Sequence, residues 1–300
     1  MIPAELLKAT EGRAPGCCVY GAAGLKKTHG ICTAPPPILM LDVGEGGTAS
    51  VVPWIRRKRN WNSSKWLEYT DEDRQLAVDL LREDVRLGMF IKPAPYIDVI
   101  HYDNSDADAW TQLAGDIGSF DYNYYNTLAT DSLQEFSVAT QSHAKGKGNE
   151  LAIMNSVNFS WVGAQERAAM ALRKQRNYRD MGVFIYTTAS EDIAKDYVKN
   201  PMEKGSGGET PYSIRGTVNL PGKLAEAVPH LPDLVFHAKL INNQVQWVAE
   251  PEPLTGGAAW WDAKDRYGRL PKYNDPNFRK IFRKLYGDAG MEAIYACGKR

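Results

Sequence analysis

The chain has 300 residues, 43% of them apolar, enough for a sizeable core, and this excludes a wholly disordered protein. Lys plus Arg and Asp plus Glu both number 36, so no net charge draws nucleic acid from a distance and any such surface must be local. No apolar run reaches membrane-span length and Met1 to Gly16 lacks the apolar centre of a signal peptide, so a cytoplasmic protein without a membrane partner is expected.

Residues 1–13 read as an N-terminal helix, with Pro3 in its first turn and Gly12 near its end. Cys17 to Tyr20 reads as a buried strand, and it breaks into Gly21 to Thr28, GAAGLKKT. A phosphate-binding loop asks for Gly, four residues, Gly, Lys and Ser or Thr; Gly21, Lys27 and Thr28 fit, while Lys26 stands where the second glycine belongs. Gly21, Ala22, Ala23, Gly24, Leu25 and Lys26 would form a turn whose N–H groups converge on phosphate oxygens at a helix start. Lys27 would reach the β and γ phosphates and Thr28 would ligate Mg²⁺. A lysine at 26 is costly if that residue must take a positive φ. On its own the segment reads equally as a coincidental Gly-rich turn.

Ile38 to Val43 is continuously apolar, the pattern of a parallel strand buried on both faces, and it ends in DVGEGG. Ligands collect beyond the carboxyl ends of such strands, where Asp42 and Glu45 fall. Glu45 is a candidate to polarise an attacking water; the alternative is a solvated turn. Residues 53–95 read as a basic and aromatic insertion, with cations at 56–59 among Trp54, Trp61 and Trp66, and with a helix over Asp71 to Gly88. Such a segment either tracks a nucleic-acid strand or is a solvated helix face with buried tryptophans.

Tyr96 to Tyr102 follows as a strand and Ala107 to Ile117 as a helix. Tyr125 to Phe136, YNTLATDSLQEF, is a β-type run that closes in Asp131 before a helix. Asp131 is a helix N-cap acid or a Mg²⁺ ligand, and the loop upstream favours the metal. Residues 143–149, HAKGKGN, read as a basic loop, Trp161 to Tyr178 as an Arg-rich helix, and Gly182 to Thr188 as a strand whose Thr187 or Thr188 would sense the γ phosphate. Lys199 to Thr210 reads as a loop and Leu220 to His230 as a helix. Leu234–Ile241 and Gln244–Ala249, joined by Asn-Asn, read as a β-hairpin, Ala258–Asp265 as a further strand and Asn277–Leu285 as a helix. Alternating strands and helices predict an α/β fold with a mostly parallel, doubly wound sheet and a C-terminal hairpin region over 234–300. Cys17, Cys18, Cys32 and Cys297 have no metal-ligand spacing and read as small hydrophobes, and the five histidines form no zinc pattern.

In that order GAAGLKKT, the DVGEGG strand end, NTLATDSLQEF, the Arg-rich helix, GVFIYTT, LPDLVFHAKL and AKDRYGRLP resemble the phage-encoded RecA-like nucleotide-binding proteins. These form the AAA-domain family grouped with single-strand annealing recombinases, similar to the ATPase core of RecA and RadA recombinases. The resemblance spans roughly residues 14 to 287. It implies a single RecA-like P-loop NTPase domain using ATP and Mg²⁺, in the host cytoplasm if phage-encoded. Gly21, Gly24, Lys27 and Thr28 match its phosphate loop, Asp131 its Walker B acid, and Glu45 its catalytic glutamate. Lys264 and Arg266 resemble the Lys-x-Arg finger that some rings insert into a neighbour's nucleotide, which implies a homo-oligomer. Lys145 and Lys147 in 143–149, with Lys199, Lys204 and Arg215 in 199–216, stand in order where such a core has its two DNA-binding loops. The expected function is a DNA-dependent ATPase acting on single-stranded DNA in phage recombination or replication, with a single-stranded-DNA-binding protein as a further partner. The alternative is a hydrolysis-deficient annealing or scaffold protein that binds DNA without nucleotide.

Overall fold

The run GCCVY forms strand β1 (Gly16–Tyr20), and every one of its residues is buried. The computed structural model describes residues 14–44, 46–57, 97–103, 106, 108–151, 157–197, 211–220, 223–254 and 260–296. After β1 come α1 (Lys27–Ile31), β2 (Ile38–Val43), a 3₁₀ segment (Gly47–Trp54), β3 (Ile55–Arg57), β4 (Ile97–Tyr102), α2 (Ala109–Gly118) and β5 (Thr127–Asp131). They are followed by α3 (Leu133–Leu151), α4 (Val157–Asn177), β6 (Phe184–Ala189), β7 (Glu191–Tyr197), β8 (Pro211–Val218) and α5 (Lys223–Ala227). The chain then forms β9 (Leu234–Ile241), β10 (Gln244–Val248), β11 (Glu252–Pro253), β12 (Trp260–Trp261), β13 (Lys264–Asp265), β14 (Tyr273–Asn274) and α6 (Phe278–Ala296).

The main sheet runs β14-β10-β9-β1-β6-β5-β2-β4-β3, with β13 beside β9. From β9 to β3 every pairing is parallel, and β10, β13 and β14 add the antiparallel edge. This is the α/β class expected, a mostly parallel sheet flanked by helices with a C-terminal hairpin. Alternation within the strands separates two cores. Cys17, Val19, Met40, Ala129, Phe184 and Phe236 pack on the face that α6 covers with Phe278, Ile281 and Phe282. Cys18, Tyr20, Leu41, Leu128 and Ile185 face α2, α3 and α4. No helix among the described residues is long and apolar enough to cross a membrane.

Asn242 and Asn243 carry φ of 50° and 61°, the left-handed pair that a tight hairpin needs, so the Asn-Asn reading holds. Cys17, Cys18 and Cys32 are buried free thiols, as read from sequence, and burial pushes Cys18 up to about 11. Three expectations are corrected. Residues 143–149 are no loop but the second half of α3, because Ala144, Lys145, Lys147 and Glu150 favour a helix enough to carry Gly146 and Gly148. Residues 211–216 are no loop either: β7 and β8 pair antiparallel and join β12 and β11 in a four-stranded second sheet. The strand expected over 258–265 is two short pieces, β12 and β13, in different sheets. The N-terminal helix, the helix over 71–88, the tryptophans at 61 and 66, the loop 199–210 and Cys297 lie outside the described residues.

The amino end of β1 is closed by a buried ion pair. Arg179 Nη2 donates to Asp233 Oδ2, with the two side chains 2% and 1% exposed. Asp233 also accepts from the Gly16 N–H at 3.2 Å, Arg266 Nη1 at 2.8 Å and the Tyr267 hydroxyl at 3.0 Å, while Arg179 Nε donates to Ala14 O at 2.8 Å. Removing one member strands a buried charge. Asp233→Ala is therefore expected to lower stability by about 3–5 kcal/mol, read from urea unfolding; a variant as stable as the native chain would contradict this account.

Candidate functional site

Beyond Tyr20 the chain must turn away from the sheet at once, and the conformations show how. Gly21 has φ 151°, and a Cβ there would lie 2.5 Å from Ala238 O on β9, so only glycine admits so close an approach. Gly24 follows at φ 78°. Lys26 takes φ 57° and ψ 22°, the left-handed conformation that glycine would adopt freely, immediately before α1 begins at Lys27. Its side chain is exposed and makes no hydrogen bond or ion pair among the described residues.

Helix α1 sits close on the sheet because Gly30 has no side chain: a Cβ there would be 2.5 Å from the Trp247 ring and 2.8 Å from the Tyr186 hydroxyl. Tyr186 donates to Lys27 O at 2.6 Å, which fixes the first turn. Lys27 Nζ folds back over the loop and donates to Gly21 O and Ala22 O, at 2.8 Å each. An ammonium is thus held in the mouth of the turn. Thr28 Oγ1 donates to Asp131 Oδ2 at 2.8 Å across 103 residues.

Asp131 ends β5 and is 2% exposed. Between it and β1 lies β6, whose Thr188 donates its hydroxyl to Asp131 Oδ1. From the other side Gly47 packs on the carboxylate, since a Cβ on Gly47 would lie 2.0 Å from Asp131 Oδ2 and 3.4 Å from Thr28 Cγ2. Asp42, the last residue but one of β2, is in direct register with Asp131, and His101 on β4 is in register with Asp42. Asp42 is fully buried; its Oδ2 accepts from Thr48 N at 3.3 Å and from the Thr48 hydroxyl, and meets His101 Nδ1 at 3.3 Å. A polar row thus crosses the carboxyl ends of adjacent strands, Thr188, Asp131, Asp42 and His101.

Next to the loop a second contact ties the two sheets together. His237 on β9 stacks on both Tyr20 and Trp261, at 5.1 and 4.2 Å between ring centroids, and its Nε2 meets Glu191 Oε2 at 3.0 Å. Burial lowers the His237 pKa, with the Glu191 contact acting in the opposite direction. Tyr20 donates its hydroxyl to Asp262 O, joining β1 to the segment after β12.

The residues read from sequence divide accordingly. Gly21 to Thr28, Asp131 and Thr188 come together in one place. Thr187 points to the other face and donates to Cys17 O at 3.4 Å, so of the two threonines only Thr188 meets the acid. Glu45 lies outside the described residues, as do Lys199 and Lys204. Lys145 and Lys147 lie on helix α3 rather than a loop, and Arg215 is on β8, opposite Ala194 and Trp260. Arg266 holds Asp233 at the amino end of β1, away from the loop. Lys264 Nζ donates to Pro229 O at 2.9 Å, and burial, then the charges of Arg266 and Arg179, push its pKa down to about 8. Within the chain neither Lys264 nor Arg266 joins the site. Sequence reading put Asp42 at the ligand end of its strand but gave it no role, and it missed Thr48 and His101.

No family model matches the chain, and no curated protein matches it. Among solved structures it is similar to a KaiC-like protein from the hyperthermophilic archaeon Pyrococcus horikoshii OT3, at 9% identity over 78% of this chain and 76% of that one, with a TM-score of 0.31. So slight a likeness carries no argument, and the reading of the fold rests on the strand order and register described above.

Two substitutions test the local account. Lys26→Gly is expected to raise stability by about 1 kcal/mol by relieving the left-handed lysine, measured by urea unfolding. Gly47→Ala must displace either the turn or Asp131 from its hydroxyl donors and is expected to cost about 1–3 kcal/mol. The opposite sign for either would refute the conformation assigned there.

Proposed function

We propose that the chain binds a nucleoside triphosphate, ATP, with Mg²⁺ at the 21–28 loop and hydrolyses it. The observation that carries this reading is the Thr28–Asp131 hydrogen bond of 2.8 Å, which joins the residue after the loop lysine to a buried acid two strands away. Both groups are oxygen donors, the kind Mg²⁺ takes, and Thr188 holds the remaining oxygen of the acid in place. Thr28 and Asp131 would hold the cation, Asp131 chiefly through water. When bound, Mg²⁺ supplies charge neutralisation at the β and γ phosphates.

The chain's own residues do the rest. The turn from Ala22 to Leu25 lies beside a helix start, where backbone N–H groups favour anionic oxygens, while the Gly21 N–H is taken by Ala189 O at 3.2 Å. Lys27 exchanges the carbonyl oxygens of Gly21 and Ala22 for phosphate oxygens, which are better acceptors for an ammonium. Glu45, two residues beyond β2 in sequence, orients the attacking water; Thr188 answers to the γ phosphate through Asp131. The finer reading rests on resemblance in sequence: a RecA-like ATPase core that assembles side by side, offers Lys264 and Arg266 to a neighbour's nucleotide, and acts on single-stranded DNA in phage recombination or replication. Its strand contacts would come from Lys145, Lys147, Lys199, Lys204 and Arg215, with a single-stranded-DNA-binding protein as a partner.

One observation favours a second reading, an annealing or scaffold protein that no longer hydrolyses ATP: the left-handed Lys26 puts a side chain where the loop pattern has none. The two are separated by one set of assays. Lys27→Ala is expected to abolish ATP binding, measured by calorimetry, and the native chain is expected to turn over ATP only with Mg²⁺ and faster with single-stranded DNA. Unchanged ATP affinity in Lys27→Ala would remove the site assignment. Turnover absent in the native chain and present in Lys26→Gly would make the scaffold reading the better one.

A further inference from the structure

Asp42 is the most completely buried acid near the site, and the loop-and-acid reading leaves it without a task. Its Oδ2 holds Thr48 by both backbone N–H and hydroxyl, with His101 Nδ1 at 3.3 Å as a third neighbour. Its Oδ1 is buried and has no hydrogen-bond partner among the described residues. An orphaned carboxylate oxygen inside a protein is costly and calls for a donor, a bound water or an ion. Register places Asp42 directly beside Asp131 at the ends of adjacent parallel strands, so the two side chains leave the sheet on the same face. Thr48 in turn anchors the turn that lays Gly47 on the Asp131 carboxylate.

We infer that Asp42 is a positioning residue for the hydrolytic half of the site, with a separate role for each oxygen. Oδ2 pins Thr48, three residues after Glu45 in sequence, and so sets how Gly47 lies over Asp131. Oδ1 accepts a hydrogen bond from a water in the coordination shell of the divalent cation. This rests on the ATP and Mg²⁺ reading given above. Mg²⁺ keeps several of its waters when protein-bound, and residues that hold such waters or orient a ligand alter metal affinity or activity by about 10–100-fold when changed. His101, 23% exposed, closes the other side of Asp42 and fixes its orientation.

The two oxygens can be tested apart. Asp42→Asn leaves a carbonyl oxygen for Thr48 and turns the orphaned acceptor into a donor, whereas Thr48→Val keeps the shape of the side chain and removes the hydroxyl. The probe is Mn²⁺, whose binding to the full chain with a non-hydrolysable ATP analogue is followed by electron paramagnetic resonance, beside steady-state ATP turnover. Asp42→Asn is expected to weaken Mn²⁺ binding about tenfold or more with the cation-free affinity for the analogue unchanged. Thr48→Val is expected to leave Mn²⁺ binding intact and to lower kcat about tenfold at unchanged KM, with Thr48→Ser restoring it. Native Mn²⁺ affinity in Asp42→Asn would overturn the role of Oδ1, and native kcat in Thr48→Val would overturn that of Oδ2. If the native chain binds neither the analogue nor Mn²⁺, the ATP reading falls and this inference with it, an outcome distinct from native binding that both variants leave untouched.

Discussion

A carboxylate that is 2% exposed must be satisfied by the protein around it, and the carboxyl end of this sheet is arranged around that demand at Asp131. Thr28 reaches it from α1 and Thr188 from the neighbouring strand, one hydroxyl for each oxygen. Gly47 leaves room for the turn to cross it. Each of these donors comes from a different element, so α1, β6 and the turn after β2 can take up their positions only together. Since β6 separates β1 from β5, the bond from Thr28 to Asp131 spans a strand, and Thr188 fills the gap beneath it.

The same demand explains why the loop is tight. For Thr28 to reach β5, α1 must lie low on the sheet, and Gly30 against Trp247 and Tyr186 permits that approach. The chain between Tyr20 and α1 must then reverse sharply, through Gly21 at φ 151°, Gly24 at φ 78° and Lys26 at φ 57°. Two of the three positions have the residue that backbone sterics prefer; Lys26 does not, at a cost of about 1–2 kcal/mol. A strained residue that contributes nothing visible to packing marks a place where something other than stability selected the side chain.

Much of this was legible in the sequence, and the reasons differ by element. The parallel strands were readable because strands buried on both faces are largely apolar, as in GCCVY and ILMLDV, and because a glycine, Gly21 or Gly44, follows each. Thr187 and Thr188 could not be told apart from composition; the period of two along β6, with Phe184, Tyr186 and Thr188 on one face, decides it. The segment 143–149 was misread because glycine and lysine look like a loop locally, whereas the helix is set by its continuity with Leu133 to Ala139 packed in the core. Asp42 was passed over because Glu45, two glycines and a turn followed it and drew the chemical reading downstream. That its partner is Thr48 is a fact of three-dimensional folding that no spacing rule announces.

The two ends of the sheet divide the work. At the amino end Asp233 draws Arg179, Arg266, Tyr267 and the Gly16 N–H into one closed, fully paired cluster, the arrangement of groups that hold a fold together. At the carboxyl end Asp131 accepts from the hydroxyls of Thr28 and Thr188, Asp42 from Thr48 with His101 beside it, Lys27 rests on main-chain oxygens it can exchange, and Oδ1 of Asp42 has no partner among the described residues. The second sheet is attached at this end, through the stacking of His237 on Tyr20 and Trp261 and through Glu191 at the start of β7, so the β7–β8 pair is anchored to the strand that begins the loop.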